Sequence, residues 1–474
     1  MERCAAACLV LSAVIVSPYV VAAPSLKATT HELFHAEVPE HTVAKLRNLI
    51  MHQEMFYYAY EGPNPPKLPQ LWQHHQWYGG PGPFIHITEI PLTEARDLVR
   101  GLQIHHEAKA SLAWRPWTEN LYHSVAESIF TVYQHGCTYF KLCTHAALTS
   151  QLAAVFHDID HPGNPHVEWD VALPPAAEAI QCYSKRSIEM RAPAYKNSTF
   201  IFGEAVTGIG PHDRAMGYNE RHYEVFTTPP IKLGHGFRDT MAKCMRMSYL
   251  KHGRRKPYRV TLVNRSTKGG RHMYNADTMV QRMNELPDVD ARLEYVDGAT
   301  MRKQFQIASQ SDIIIYVHGA AMGAFCFMSP DAVVIEYGHK LHDSHLHGFL
   351  IQLMDDVSVP ASFIGVSPSG SHSIIPKLEY FRGRKEFLEM SLEHRWELLS
   401  TGECIPAYRG ECQHMAHFML QAEWKVLEPA LQLAFGLIDS GEHRFILLDR
   451  DDGFRQLLHR HPETGQRSQV EFLP

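Results

Sequence analysis

The run Asp312-Ile-Ile-Ile-Tyr-Val-His318-Gly319-Ala320-Ala321-Met322-Gly323 takes an apolar stretch into a turn of small residues. Small residues let backbone N–H groups approach an anion, and the dipole of a following helix favours negative charge there. His318 stands where the strand would end and can donate to a phosphate or sugar oxygen. The next apolar run, Val333-Val-Ile-Glu336-Tyr337, places a carboxylate near its end. A carboxylate in that position can accept hydrogen bonds from a ribose diol. A third run, Val260-Thr-Leu-Val-Asn264-Arg265-Ser266, delivers Arg265 to the corresponding position, and Gly269-Gly270-Arg271 and Asn275 follow. A guanidinium there can clamp a diphosphate through two hydrogen bonds and stabilise it as a leaving group. Taken singly, each feature also fits a tight turn, a surface glutamate or a surface arginine. Together, at the ends of strands in one half of the chain, they point to a phosphorylated ligand.

These residues need a parallel sheet to bring them to one edge. Beyond residue 257, short apolar runs alternate with helical patterns. Strands are expected at 258–263, 293–296, 312–317, 332–337 and 361–366. Helices are expected at 276–286, 300–310, 319–328 and 344–354. Fully apolar strands separated by helices predict a parallel sheet covered on both faces. Two long helical patterns follow, at 384–400 and 412–438.

The N-terminal half reads less regularly. Residues 61–84 contain Pro63, Pro65, Pro66, Pro69, Pro81 and Pro83, which exclude long helices. The whole stretch 24–115 is expected to be irregular. Thr118 can cap a helix over 119–134, in which Leu121, Val125, Ile129 and Val132 recur at helical spacing. Strands are expected at 152–156 and 199–202, and a helix at 238–251. The basic residues Lys251, Arg254, Arg255 and Lys256 mark the expected domain boundary. The resulting division is a leader over 1–23, an irregular region over 24–115, an acceptor-side domain over 116–250, a nucleotide-binding domain over 251–445 and a flexible tail over 446–474.

Composition bounds the rest. The chain has 474 residues, 45% hydrophobic and 20% charged, which suits two globular cores. Its formal net charge of -6 gives no basic field, so no nucleic-acid partner is expected. Residues 1–23 are an apolar run ending in Ala22-Ala23, read either as a cleaved signal peptide or as an uncleaved anchor. Both readings put the body in the lumen of the secretory pathway (endoplasmic reticulum or Golgi) or outside the cell, with any membrane contact made through the N-terminus. Beyond the leader lie Cys137, Cys143, Cys182, Cys244, Cys326, Cys404 and Cys412. Cys404 and Cys412 share a loop and are the expected pair, while Cys326 sits in an apolar run as a free core thiol. The 32 histidines are scattered, which argues against a dedicated metal-binding protein. Asn197-Ser-Thr and Asn264-Arg-Ser are glycosylation sequons, the second lying against the proposed ligand site.

Arg265, the Gly- and Asn-containing loop to Asn275, His318-Gly319-Ala320 and Val334-Ile335-Glu336 together resemble glycosyltransferase family 61. Two N-terminal segments extend the resemblance: Asn120-Leu-Tyr-His123-Ser-Val-Ala-Glu127 and Phe202-Gly203-Glu204-Ala205-Val206. It is clearest from about 118 to 355. The family includes O-GlcNAc transferases acting on proteins and plant xylan arabinosyl- and xylosyltransferases. The resemblance implies an α/β enzyme of the GT-B type, with two Rossmann-like domains facing a cleft. It implies inverting transfer of a sugar from a UDP-sugar to a hydroxyl of a glycoprotein or polysaccharide. GlcNAc is the leading sugar, with xylose and arabinose as alternatives. His123 and Glu127 lie four residues apart and share a helix face, with Glu127 as the general base. Arg265, Arg271, Asn275, His318, Gly319, Ala320, Ala321 and Glu336 would bind the donor. No cofactor is required; Asp158-Ile159-Asp160, flanked by His157 and His161, has the spacing to hold a divalent metal if one is used. The sequence departs from the family pattern at three places. Glu127 stands for an aspartate, Ala321 for a glycine and Ile201 for a cysteine. A catalytically degenerate sugar-nucleotide- or glycan-binding relative is the alternative.

Overall fold

The computed structural model describes residues 26–34, 42–71, 85–114, 121, 124–157, 177–190, 192, 194–208, 231–250, 256–265, 271–338, 350–366 except 352 and 356, 374–375, 391, 419–448, 458–461, 464, 466–469 and 471–472. The leader, His123, the pair Asp158 and Asp160, His161 and the Cys404 and Cys412 loop lie outside them. Two large sheets with flanking helices organise the described residues.

The first sheet has eight strands: β1 (Thr30–Phe34), β2 (Val43–His52), β3 (Met55–Tyr60), β4 (Ile87–Pro91), β5 (Ile104–Trp114), β6 (Leu152–His157), β7 (Arg186–Glu189) and β8 (Thr199–Gly208). Their order is β4-β3-β2-β8-β5-β6-β7, with β1 beside β2. Strands β8, β5, β6 and β7 run parallel, and β2 pairs antiparallel with β8. The expectation that 24–115 is irregular is therefore corrected, since that stretch supplies five strands. Among the described residues, Pro63, Pro65, Pro66 and Pro69 lie between strands, and Pro91 ends β4. Charged residues on the open face of β2 hide the strand signal. Lys45 and Arg47 of β2 meet Glu204 of β8 at 3.1 and 3.5 Å, so their charges are satisfied across the sheet.

The helix expected at 119–134 runs from Ser124 to Tyr139, as π-helical turns flanking a short α-helical stretch. The helix expected at 238–251 instead spans Ile231–Met245. Two disulfides form here, Cys137–Cys143 and Cys182–Cys244, and Cys326 is the free buried thiol that its apolar setting predicts.

The second sheet contains β9 (Tyr258–Asn264), β11 (Val289–Tyr295), β12 (Ile313–Val317), β13 (Val333–Tyr337), β14 (Ser362–Val366), β17 (Phe445–Leu448) and β20 (Glu471–Phe472). The intervening β10 (His272–Met273), β15 (Ile374–Ile375) and β16 (Met419–Leu420) form a small separate sheet. A short hairpin pairs β18 (Leu458–Arg460) with β19 (Arg467–Gln469). In the second sheet the order is β11-β9-β12-β13-β14-β17-β20, with every pair parallel. The tail expected to be loose beyond 445 returns instead as the edge strand. Arg444 Nε donates to Glu471 Oε1 at 2.8 Å, which fastens that strand.

Side chains alternate between two cores. Ile313, Ile315, Val317, Ile335 and Tyr337 pack with the helices Ala276–Asn284 and Trp424–Ser440. Ile314, Tyr316 and Val334 pack on the opposite face with the helix Met301–Ser309 and the segment Ala320–Phe327. That last segment is a 3₁₀-helix, not the α-helix expected over 319–328.

Candidate functional site

In the second sheet, the chain leaves β9 towards β11 on one side and later returns to lay β12 on the other. Strands β9 and β12 are neighbours whose following helices cover opposite faces. This is a topological switch point, where a crevice opens beyond the carboxyl ends of the strands and ligands bind. Arg265 follows β9 there, and His318-Gly319-Ala320 follows β12. The two meet: a Cβ built on Gly319 would sit 3.5 Å from the Arg265 guanidinium carbon.

A cleft of about 530 Å³ opens at this point. Arg265, Val317, Gly319, Ala320 and Ala321 line it from the second sheet, with the loop Val296–Thr300. Leu121, Glu178 and Gln181 line it from the other half of the chain. The first N–H groups of a helix have no intrahelical acceptor, so Ala320 and Ala321 offer backbone donors at the crevice. Ala321 presents its methyl to the cleft where the family pattern has none.

Arg265 is held at its backbone. Its N–H donates to Asn264 Oδ1 at 2.9 Å, and its carbonyl meets His272 Nδ1. Asn264 is buried, and its side chain also joins both polar backbone atoms of Met273 at 2.9 Å. That explains why the Asn264 sequon is unsuitable for glycosylation, whereas Asn197 lies exposed before β8. Arg271 is largely buried, and among the described residues its Nε has no hydrogen-bond partner. Its backbone is left-handed, with φ 60°, an uncommon choice for a side chain other than glycine. Burial pushes the Arg271 guanidinium down to about 10, and the nearby Arg265 charge pushes the same way, while Glu336 opposes. Burial also lowers Arg265, while Asp297 favours its charged form. Two guanidiniums sharing a poorly solvated space, one with an idle buried donor, form a site for a multiply charged anion.

Two expected donor contacts are corrected. Glu336 is the last residue but one of β13, so the alternation turns it into the layer under Ala320–Phe327. It is fully buried and accepts from Tyr316 Oη at 2.5 Å and from His318 Nδ1 at 2.8 Å. Tyr316 is its cross-strand neighbour. Glu336 therefore fixes the His318 ring and supplies a buried negative charge beneath the arginines, and no ribose diol can reach it. Asn275 uses its amide on the backbone of Ala422: Nδ2 donates to the carbonyl and Oδ1 accepts from the N–H, both at 2.8 Å. It pins the start of one helix to the approach of another.

Glu127 falls within the helix Ser124–Ile129, and nothing further is described of its side chain. His157 closes β6 and is buried, which pushes it down to about 3, so it stays neutral. Among the described residues, no cluster of three or more His, Cys, Asp and Glu could hold a metal. Also among them, no helix is long and apolar enough to cross a membrane. The sequence reading missed Asp297, Glu178, Gln181 and Gln304, all of which face the cleft. Asp297 carried a usable signal, since it directly follows an expected strand.

The fold and site thus define an α/β protein with a crevice at a topological switch point, where Arg265 and two small-residue backbone donors meet. Residues 216–335 match the family model described as Glycosyltransferase 61. The matched stretch contains Arg265, Arg271 and His318 and agrees with the resemblance that the motifs carry. The match supports glycosyl transfer as the class of activity. No curated protein matches the chain.

Proposed function

We propose that the protein is an inverting glycosyltransferase of the GT-B type that moves a sugar, GlcNAc first among candidates, from UDP to an acceptor hydroxyl. The observation that carries this reading is Arg265 at the switch point, lining the cleft with Gly319, Ala320 and Ala321, with Arg271 near enough to feel its charge. A nucleoside diphosphate supplies the two negative charges such a pair requires. The acceptor hydroxyl attacks the anomeric carbon while a base takes its proton, and the C1–O bond to UDP breaks as the new one forms. One displacement inverts the centre. The arginines and the helix N-terminus stabilise the negative charge that gathers on departing UDP.

Glu127 is the proposed base, assisted by His123 four positions earlier in the sequence. The acceptor, a glycoprotein or polysaccharide, would enter along the wall formed by Leu121, Glu178 and Gln181. No metal is needed where two guanidiniums neutralise the diphosphate. The two disulfides favour an oxidising compartment, in line with a lumenal or extracellular body.

Calorimetric titration with UDP and a panel of UDP- and GDP-sugars tests the reading, with and without Mn²⁺. UDP is expected to bind, and Arg265→Ala to weaken it by at least about thirtyfold, since truncating a buried ionic partner costs roughly 2–5 kcal/mol. Failure of every nucleotide to bind the native protein would overturn the donor site. Tight binding without turnover of any UDP-sugar on hydroxyl acceptors would favour the degenerate relative.

A further inference from the structure

The structure closes Glu336 to the ribose and leaves the nucleoside without a partner carboxylate at the position the sequence suggests. A second carboxylate lies in the same cleft. Asp297 follows β11 directly, in the loop Val296–Thr300 that lines the crevice beside Arg265. It is exposed, as are Gly298 and Thr300. Strand β11 is the second strand of this sheet in chain order and lies next to the first, β9. In nucleotide-binding α/β sheets, the carboxyl end of that second strand is where an acidic side chain meets the ribose hydroxyls. The phosphates take the first turn, which here belongs to Arg265.

We propose that Asp297 is the residue that accepts hydrogen bonds from the ribose diol of the nucleotide donor. The inference rests on the donor reading given above and adds the orientation of the nucleoside. The diphosphate lies against Arg265 and Ala320, and the nucleoside runs outward over β11. Two observations favour this direction. The wall beyond Asp297 continues with Ala299, Thr300, Met301 and Gln304, giving an apolar floor with an amide at its rim. The Thr300 hydroxyl is engaged as a helix cap, accepting from the Lys303 N–H at 3.3 Å, so it is not the group that meets the diol. Asp297 also favours the charged form of Arg265, so the pair brackets the span between ribose and phosphate.

The test is a two-by-two titration of the full chain: native protein and Asp297→Ala, each with UDP and 2′-deoxy-UDP, with GDP and 2′-deoxy-GDP in parallel. The native protein should bind the ribose form about ten- to a hundredfold more tightly than the deoxy form, as expected for a hydrogen bond to a charged group. In Asp297→Ala that ratio should fall to near one, because the hydroxyl then has no carboxylate to meet. A change in Arg265 would weaken both nucleotides alike and leave the ratio untouched, so the cycle isolates the ribose contact. A ratio in Asp297→Ala equal to the native one would overturn the proposal while the donor site stands. So would a native ratio near one. Absence of binding by every nucleotide would overturn the donor site and this assignment together.

Discussion

Arg271 shows what the site costs at the scale of one residue. Its charge is held in a buried place, repelled by Arg265, with an idle Nε and a left-handed backbone. Such a group is retained against local stability and signals a ligand that completes it. Because its pKa is depressed in the folded chain, the charged form is disfavoured there relative to the unfolded state. Replacement by an apolar side chain of similar length should relieve that cost. Arg271→Met is expected to stabilise the unliganded protein by about 1–2 kcal/mol, and to abolish the stabilisation by UDP. Thermal unfolding with and without UDP reads both effects. A lower midpoint without ligand would show instead that Arg271 is a structural cation for Glu336. The residue scale is also where the sequence misled. Glu336 and Asn275 have the right chemistry near the right edge. Their occupation by Tyr316, His318 and Ala422 depends on strand alternation and on contacts across up to 147 positions. No local pattern encodes such partners.

At the scale of elements, the C-terminal half was readable because its strands are buried on both faces and remain apolar throughout. The patterns at 258–263 and 332–337 fall within a residue of β9 and β13. Strands β1 and β2 escaped notice because their exposed positions carry His, Glu, Lys and Arg, and β2 is recognisable only against β8. The helix Ile231–Met245 shows how one element reaches both halves. A Cβ on Gly236 would lie 2.2 Å from the Tyr133 hydroxyl, and one on Gly234 would lie 2.6 Å from the Val357 carbonyl carbon. Both glycines let the helix slot between the layers. From the same helix, buried Arg238 donates to the carbonyls of Cys326 at 2.7 Å and Met328 at 2.8 Å. It thereby caps the far end of the 3₁₀-helix whose start faces the cleft. Gly236→Ala should destabilise the protein by about 1–3 kcal/mol through overpacking, even though alanine is the better helix former. Chemical denaturation measures the loss. A neutral or stabilising result would mean that Tyr133 yields freely and that the helix is not wedged.

At the scale of the whole molecule, the two sheets share one core. Phe130, Tyr133 and Tyr183 of the N-terminal half meet Phe237 at ring-centroid distances of 4.9, 5.6 and 4.9 Å. Phe237 in turn lies 5.9 Å from Phe327, which lies 4.2 Å from Phe305. Tyr183 Oη donates to the Phe237 carbonyl at 2.7 Å, and Cys182–Cys244 fixes the same helix to the cleft wall. A chain of rings packed this way couples the stability of both sheets, because neither can unfold without exposing the other's apolar surface. Calorimetry should therefore give a single cooperative transition, where independent domains would give two. Phe237→Ala sharpens the test, since it removes a ring central to both halves and should cost about 3–5 kcal/mol. Amide exchange should then speed up together in β6 and in β12. Faster exchange in β6 alone would show that the halves unfold separately. The cleft would then be a hinge between independent domains, and Glu178 and Gln181 would meet the donor side only when it closes.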